Sequence, residues 1–203
     1  WTQRAHVLAD HAVSGVLGHV SSLHFDTMSE LLWVGSASGQ LTSHTGALPT
    51  LPRYTSLAAH GVPKQPKHVR GILSDDKFII SLSEGRVCAS QRQGLGRWSM
   101  QIEDHAPGVA LAGLCASPQS ASSDIIVGGA APNSHDALFA LHSTSGRIVR
   151  RAVSDGTVTQ LRKGNRYLCV GTEEGTIQLH DPRSLSAEHK LPAHHGGLID
   201  LQT

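Results

Sequence analysis

The carboxylates are the residues of this chain best suited to catalysis, because paired acidic side chains can share the Mg²⁺ ions that drive phosphodiester hydrolysis. A centre of that type typically opens with an Asp-x-Glu pair. The sequence has ten aspartates, and none is followed two residues later by a glutamate. The sequence therefore predicts no catalytic residues, no Mg²⁺ and no other cofactor for this chain.

Serine and glycine patterns suggest no other enzyme chemistry. A nucleophile turn of the Gly-x-Ser-x-Gly type is absent, since the segment Gly35–Gly39 has Ala37 at the nucleophile position. Gly94 and Gly96 form a lone Gly-x-Gly without the rest of a phosphate loop or dinucleotide fingerprint. This pair predicts a turn rather than a nucleotide site.

Histidines are numerous, but their arrangement does not predict a metal site. The chain has 14 histidines. His194 and His195 are adjacent, and adjacent strand residues point to opposite faces. His60 and His194 stand at equivalent places in a repeat described below, which favours structural hydrogen bonding over metal ligation.

Basic residues occur in three small sets, and two interpretations of them stay open. They could contact phosphate groups, or they could be solvated loop charges, since the net charge of the chain is only +1. The sets are Lys64, Lys67, His68 and Arg70; Arg147, Arg150 and Arg151; and Arg162, Lys163 and Arg166.

Composition favours an all-β protein with many turns. Charged residues make up 16% of the chain, apolar residues 39%, and there are 21 glycines. No apolar run approaches the length of a membrane span, and no segment resembles a signal peptide. The three cysteines are far apart, which is typical of a reducing compartment. We therefore expect a cytoplasmic protein without membrane contact.

A repeat organises the chain. A short apolar run, a small residue, a glycine-bearing turn and an alternating run return four times, with the small residue at Gly35, Ser81, Gly128 and Gly171, spaced 46, 47 and 43 residues apart. Repeats of this length made of short strands indicate β-propeller blades. A blade cannot bury its faces alone, so the repeat also predicts that neighbouring blades stack.

Each repeat reads as four strands, and the predicted blades lie near residues 20–60, 68–104, 108–152 and 156–193. A fifth blade begins at residue 197 and lacks its remaining strands. Residues 1–18 are interpreted as a lead-in or a ring-closing segment. Because propellers avoid open edges by closing, we interpret residues 19–203 as part of a longer, seven-bladed ring.

Two features of the blades make sharper predictions. The second strand is almost wholly apolar, so we expect Trp33 to be buried between blades. Gly39, Gly85 and Gly175 each come four residues after the repeat anchor, where a tight hairpin needs a positive φ.

The last repeat resembles a WD repeat. Its third strand ends in Leu179-His180-Asp181, with His in place of the usual Trp, and Ala193-His194 stands where WD repeats carry Gly-His. His60 occupies the equivalent place after the first repeat. In WD repeats such residues form a polar network that ties a turn to the strands. The resemblance thus assigns structural polar roles to His60, Asp181 and His194.

Three segments, 30–35, 53–60 and 186–194, carry a closer resemblance. They are similar to the N-terminal WD-repeat propeller of the catalytic subunit of the poly(A)-nuclease deadenylation complex, a poly(A)-binding-protein-dependent, poly(A)-specific ribonuclease. The family implies a larger protein in which a linker binding a pseudokinase subunit, an inactive ubiquitin-hydrolase-like domain and a Mg²⁺-dependent 3′–5′ exonuclease domain follow the propeller. The family's catalytic residues match no position of this chain.

The resemblance implies a non-catalytic scaffold in mRNA deadenylation, which functions in the cytoplasm and in P-bodies. Its partners would be the pseudokinase subunit and poly(A) coated with its binding protein. The candidate contact residues are Arg53, Tyr54, Thr55 and Ser56 on an outer strand, together with Arg162, Lys163 and Arg166. For Tyr54, packing on its own blade is the alternative. The alternative for the whole chain is a WD-repeat adaptor unrelated to RNA decay.

Overall fold

Short apolar runs separated by turn-forming residues fold here into strands too short to bury a core singly. A computed structural model describes residues 19–45, 53–58, 67–93, 95–117, 124–132 and 136–194, with only the backbone described for residues 53–58. The proposed lead-in at residues 1–18 and the fifth blade from residue 197 lie outside the described residues.

The described residues form four antiparallel sheets of four strands each, in sequence order within every sheet. The only helix among them is a 3₁₀ turn at Ile102–Asp104. This confirms the predicted all-β blades. The strands are β1 Val20–Asp26, β2 Leu31–Ser36, β3 Gln40–Thr45, β4 Arg53–Ala58, β5 Gly71–Ser74, β6 Phe78–Leu82, β7 Arg86–Gln91, β8 Gly96–Gln101, β9 Ala110–Ala116, β10 Asp124–Ala130, β11 Asp136–His142, β12 Ile148–Val153, β13 Val158–Lys163, β14 Leu168–Thr172, β15 Thr176–His180 and β16 Ala187–Pro192.

The meander within each sheet fixes where its turns lie. Because consecutive strands run in opposite directions, the turns after the first and third strands share one end of the sheet. The turn after the second strand lies at the other end. The chain also divides into two compact units, Trp1–Ser83 with Cys88–Arg97 and Glu84–Val87 with Trp98–Thr203.

The core of the first unit forms around the second strand of the first sheet. Every residue of β2 is buried, and Trp33 is 0% exposed, which confirms the predicted burial. Trp33 packs in one apolar cluster with Leu31, Leu41 and Ile79. Its indole Nε1 finds no hydrogen-bond partner among the described residues. Burial of the ring therefore stabilises the sheet through apolar contact alone.

The second unit has its own core, built from the third and fourth sheets. Ten buried side chains form this cluster, among them Ile126, Leu138 and Leu161. Close backbone approach requires glycine at one point, because a Cβ on Gly113 would lie 2.7 Å from the Cγ of Leu161. The two sheets therefore pack tightly along their inner strands.

The predicted glycine turns are confirmed at two of three positions. Gly39 and Gly175 both have φ of +80°, and each donates its N–H to a carbonyl three residues earlier, at 3.1 Å. The prediction is wrong for Gly85, whose φ is not positive. There the carbonyl of Gly85 accepts an N–H from Ile102 at 2.8 Å, so the 3₁₀ turn holds this hairpin in another conformation.

Within the second unit, an indole hydrogen bond connects two sheets. Trp98, on β8, donates its Nε1–H to the carbonyl of Ser143 in the turn between β11 and β12, at 2.7 Å. The ring lies over Gly146, which has φ of +69°, and a Cβ there would lie 2.5 Å from the Cε3 of Trp98. Glycine is required at this position for both reasons.

Candidate functional site

The basic set Arg162, Lys163 and Arg166 lies at one end of the fourth sheet. Arg162 and Lys163 end β13, and Arg166 is in the turn that leads to β14. Arg162 is half-buried and its Nη1 donates to the carbonyl of Leu161 at 2.9 Å, whereas Lys163 and Arg166 are exposed. The structure thus brings the three predicted residues to one rim, where they remain candidates for partner contact.

Two cysteines near this set are not nucleophiles. Cys169 is the ladder partner of Arg162. Burial raises the pKa of the Cys115 thiol to about 12, although the charges of Arg162 and Lys163 oppose that shift. Burial also raises the pKa of Cys169. Both thiols are therefore protonated at neutral pH and unreactive.

The other predicted contact set lies on an outer strand. Arg53, Tyr54, Thr55 and Ser56 belong to β4, which pairs with β3 at the edge of the first sheet. Their side chains and the whole of His60 lie outside the described residues. The strand position is what an outer contact surface requires, and the contact roles stay predictions.

Asp181 caps its own turn. Its carboxylate accepts the N–H of Arg183 at 3.1 Å, the N–H of Ser184 at 3.3 Å and the hydroxyl of Ser184 at 2.9 Å. The Arg183 N–H and the Ser184 hydroxyl hold the pKa of Asp181 below its usual value. His194 is exposed, and it is the backbone N–H of His194 that bonds, donating to Gly175 at 3.0 Å.

His180 is the buried centre of the fourth sheet's polar network, a role that the sequence pattern did not assign. Its Nδ1 lies 2.8 Å from the carbonyl of Leu185 and its Nε2 3.0 Å from the Oε1 of Gln178. Leu185 is fully buried with φ of +60°, a costly conformation that this contact helps to hold. Burial lowers the pKa of His180, although the Leu185 carbonyl opposes the shift. The sequence feature that indicates this role is His180 itself, which stands where a WD repeat usually has Trp.

The first unit also contains a buried ion pair that the sequence patterns did not indicate. Asp26 ends β1 and is 1% exposed. Its carboxylate accepts a hydrogen bond from the guanidinium of Arg92, which lies in the turn between β7 and β8. Ser29 and the N–H of Met28 bond the same carboxylate. Burial raises the pKa of Asp26, but the bonds from Arg92, Ser29 and Met28 outweigh it and hold the value below its usual range.

His24 joins the inner strands of the first two sheets. The backbone N–H of Ser74 donates to its Nε2 at 3.2 Å, and the Ser74 hydroxyl lies 2.8 Å from the same nitrogen. Nε2 must therefore be unprotonated. Burial lowers the pKa of His24, partly offset by Asp26 and reinforced by Arg92. The ring is thus a neutral structural acceptor rather than an acid–base catalyst.

The described segments hold no cluster of three or more His, Cys, Asp or Glu side chains placed to bind a metal ion. No helix in these segments is long and apolar enough to cross a membrane. What the described surface offers is exposed cations at the sheet rims beside well-bonded turns.

Four meandering four-stranded sheets with this turn chemistry define a WD-repeat β-propeller. Among solved structures, the Neurospora crassa Pan2 WD40 domain superposes with a TM-score of 0.75 and 26% identity, over 89% of this chain and 52% of that one. The WD40 propeller of Doa1 shares the fold alone, with a TM-score of 0.68 and 14% identity over 89% of this chain and 56% of that one.

Sequence comparison identifies the family to which this propeller belongs. The profile of the PAN2 N-terminal family matches residues 6–203, and the chain belongs to that family. A PAN2-PAN3 deadenylation complex catalytic subunit of Aspergillus oryzae is 36% identical over 158 residues, 77% of this chain. The corresponding subunit of Schizosaccharomyces pombe is 31% identical over 185 residues, 91% of this chain. The chain spans 12% of the first relative and 15% of the second.

Proposed function

We propose that this chain is the non-catalytic propeller scaffold of a poly(A)-specific 3′–5′ exoribonuclease that shortens mRNA poly(A) tails. Membership in the PAN2 N-terminal family carries the proposal. The absence of any Asp-x-Glu pair from the sequence supports a catalytic centre elsewhere in the full-length protein, where Mg²⁺ would bind.

The scaffold would act in the cytoplasm and in P-bodies through two kinds of partner. One is a pseudokinase regulatory subunit, and the relatives are named as members of a two-subunit PAN2-PAN3 complex. The other is poly(A)-binding protein on the tail. The proposed contact surfaces are the outer strand residues Arg53–Ser56 and the rim set Arg162, Lys163 and Arg166. Arg and Tyr are frequent anchors at such interfaces.

The test is a charge reversal in the full-length protein that contains this chain. Arg53→Glu with Lys163→Glu should slow deadenylation of protein-coated poly(A) by roughly threefold to tenfold, because rim charges set the association rate. Hydrolysis of naked poly(A) should be unchanged. The matched control is Arg147→Glu with Arg183→Glu, two exposed arginines outside the proposed surfaces.

Equal rates for the Arg53→Glu with Lys163→Glu variant and the wild type on coated poly(A) would exclude both surfaces. The scaffold role itself has a separate test, since the isolated chain with Mg²⁺ should not shorten poly(A). Shortening that depends on one of its own carboxylates would refute a non-catalytic role.

A further inference from the structure

A basic groove of about 520 Å³ lies at the end of the second sheet where its first and third turns meet. It belongs wholly to the compact unit that contains Cys88–Arg97. Three of the six described lining residues are cationic and none of the six is acidic. The lining residues are Lys77, Phe78, Gln91, Arg92, Gln93 and Arg97.

Two of the three cations remain available to a ligand. Arg92 is occupied, because its guanidinium pairs with Asp26 and also donates to the carbonyl of Asp75. Lys77 and Arg97 are exposed, and neither forms an ion pair with a described carboxylate. The groove therefore presents the charges of Lys77 and Arg97 beside the buried Asp26–Arg92 pair, while the carboxylates of Asp75 and Asp76 stand in the Lys77 turn outside the lining.

Two exposed apolar side chains lie close to the groove, one in its β7–β8 hairpin and one against Arg92. Leu95, in the hairpin between β7 and β8, is 64% exposed, and its carbonyl accepts the N–H of Gln91 at 2.7 Å. Met28 is 65% exposed, with its Sδ 3.7 Å from the Nη2 of Arg92. Each of these side chains offers apolar contact area beside a cation to a bound partner.

The lining favours a peptide over a nucleic acid. Single-stranded nucleic acids stack their bases on exposed aromatic rings, but Phe78, the only aromatic residue in the described lining, is 7% exposed and belongs to the core. Gln91 and Gln93 instead offer amide donors and acceptors, which match the N–H and carbonyl groups of a peptide backbone.

We propose that this groove binds a short acidic peptide segment of a partner protein. Carboxylates of the segment pair with Lys77 and Arg97, and one apolar side chain packs beside Leu95. The inference rests on the second sheet and its turns, so it holds whether or not the chain functions in deadenylation.

The experiment measures binding of a fluorescein-labelled oligoglutamate peptide with one central leucine to this chain, by fluorescence anisotropy at low salt. Lys77→Glu with Arg97→Glu should weaken binding roughly tenfold, because two attractive contacts become repulsive. The charge-matched control, Arg147→Glu with Arg183→Glu, should change affinity less than about twofold. Since all four side chains are exposed, melting temperatures should stay at the wild-type value.

Two further measurements test the parts of the proposal. Leu95→Ser should weaken binding of the leucine-containing peptide about threefold and leave pure oligoglutamate unaffected. Equal weakening by the control pair would overturn the site, because general electrostatic attraction would then explain binding. An oligoadenylate of equal charge is the comparison ligand. If it bound as tightly as the peptide, and if the Lys77→Glu with Arg97→Glu variant lost that binding, the groove would be a nucleic-acid site and the peptide assignment would be overturned.

Discussion

The Asp26–Arg92 pair allows a quantitative test of how the first two sheets hold together. A double-mutant cycle with Asp26→Asn, Arg92→Ala and the combined variant isolates the pairwise free energy. Asp26 is 1% exposed, whereas Arg92 keeps 21% of its side chain in solvent. The pair thus lies between a surface ion pair, which contributes about 0–1 kcal/mol, and a fully buried one, whose disruption costs about 3–5 kcal/mol.

The contacts left after each substitution set the expected magnitudes. Arg92→Ala leaves the Asp26 carboxylate with only neutral donors, the Ser29 hydroxyl and the Met28 N–H, so the free energy of unfolding should drop by about 2–3 kcal/mol. Asp26→Asn leaves a guanidinium that still reaches two backbone carbonyls and water, and should cost about 1–2 kcal/mol. The double variant should cost less than the sum, with a coupling of about 1–2 kcal/mol.

Urea unfolding at about neutral pH, where Asp26 is ionised, measures the four free energies. The control cycle uses the Arg151–Asp136 pair, which is 3.9 Å apart with exposures of 39% and 33%, and should show a coupling below about 0.5 kcal/mol. If the Asp26–Arg92 coupling were no larger than the control, the pair would not hold the two sheets together. The first unit would then depend on its apolar cluster and on the hydrogen bonds between His24 and Ser74.

Two other predictions concern the core and the histidines. Trp33→Ala should lower the free energy of unfolding by roughly 3–5 kcal/mol, because a fully buried ring would leave a cavity; an unchanged melting temperature would contradict the burial. Stability should also fall as the pH drops from about 7 towards 5. The pKa values of His24 and His180 are lowered in the folded chain, so the unfolded chain binds protons first as the pH falls below 6.5. Urea midpoints across this range test the effect, and a flat profile would show that both rings protonate in the folded state.

The sequence predicts the architecture because the fold repeats a local pattern. Apolar second strands and glycine turns recur at a regular interval, so one strand assignment supports the next. Trp33 is buried for the reason that its neighbours indicate. Gly85 departs from the pattern because a later segment, the 3₁₀ turn Ile102–Asp104, bonds to its carbonyl. A hydrogen bond to a segment that lies beyond two intervening strands leaves no mark in the local sequence.

The polar contacts between sheets are less predictable for the same reason. Asp26 and Arg92 are 66 residues apart, and each looks like an ordinary turn residue in its own segment. His180 is visible only as a departure from the WD pattern, and its partner Gln178 has no signature of its own. The basic groove arises because two turns of one sheet meet at the same end, which follows from the meander once the strands are known.

The contrast between two tryptophans has a spectroscopic consequence. Trp33 sits in an apolar interior with an indole N–H that has no partner among the described residues, whereas Trp98 is half-buried and bonds the Ser143 carbonyl. Indole emission moves to longer wavelength with hydrogen bonding and solvent access. In a Trp1→Phe variant, which keeps two of the three tryptophans, Trp98 should therefore fluoresce to the red of Trp33, and the two bands become separate reporters. If the Trp98 band changes before the Trp33 band during unfolding, the contact between β8 and the Ser143 turn opens locally before global unfolding.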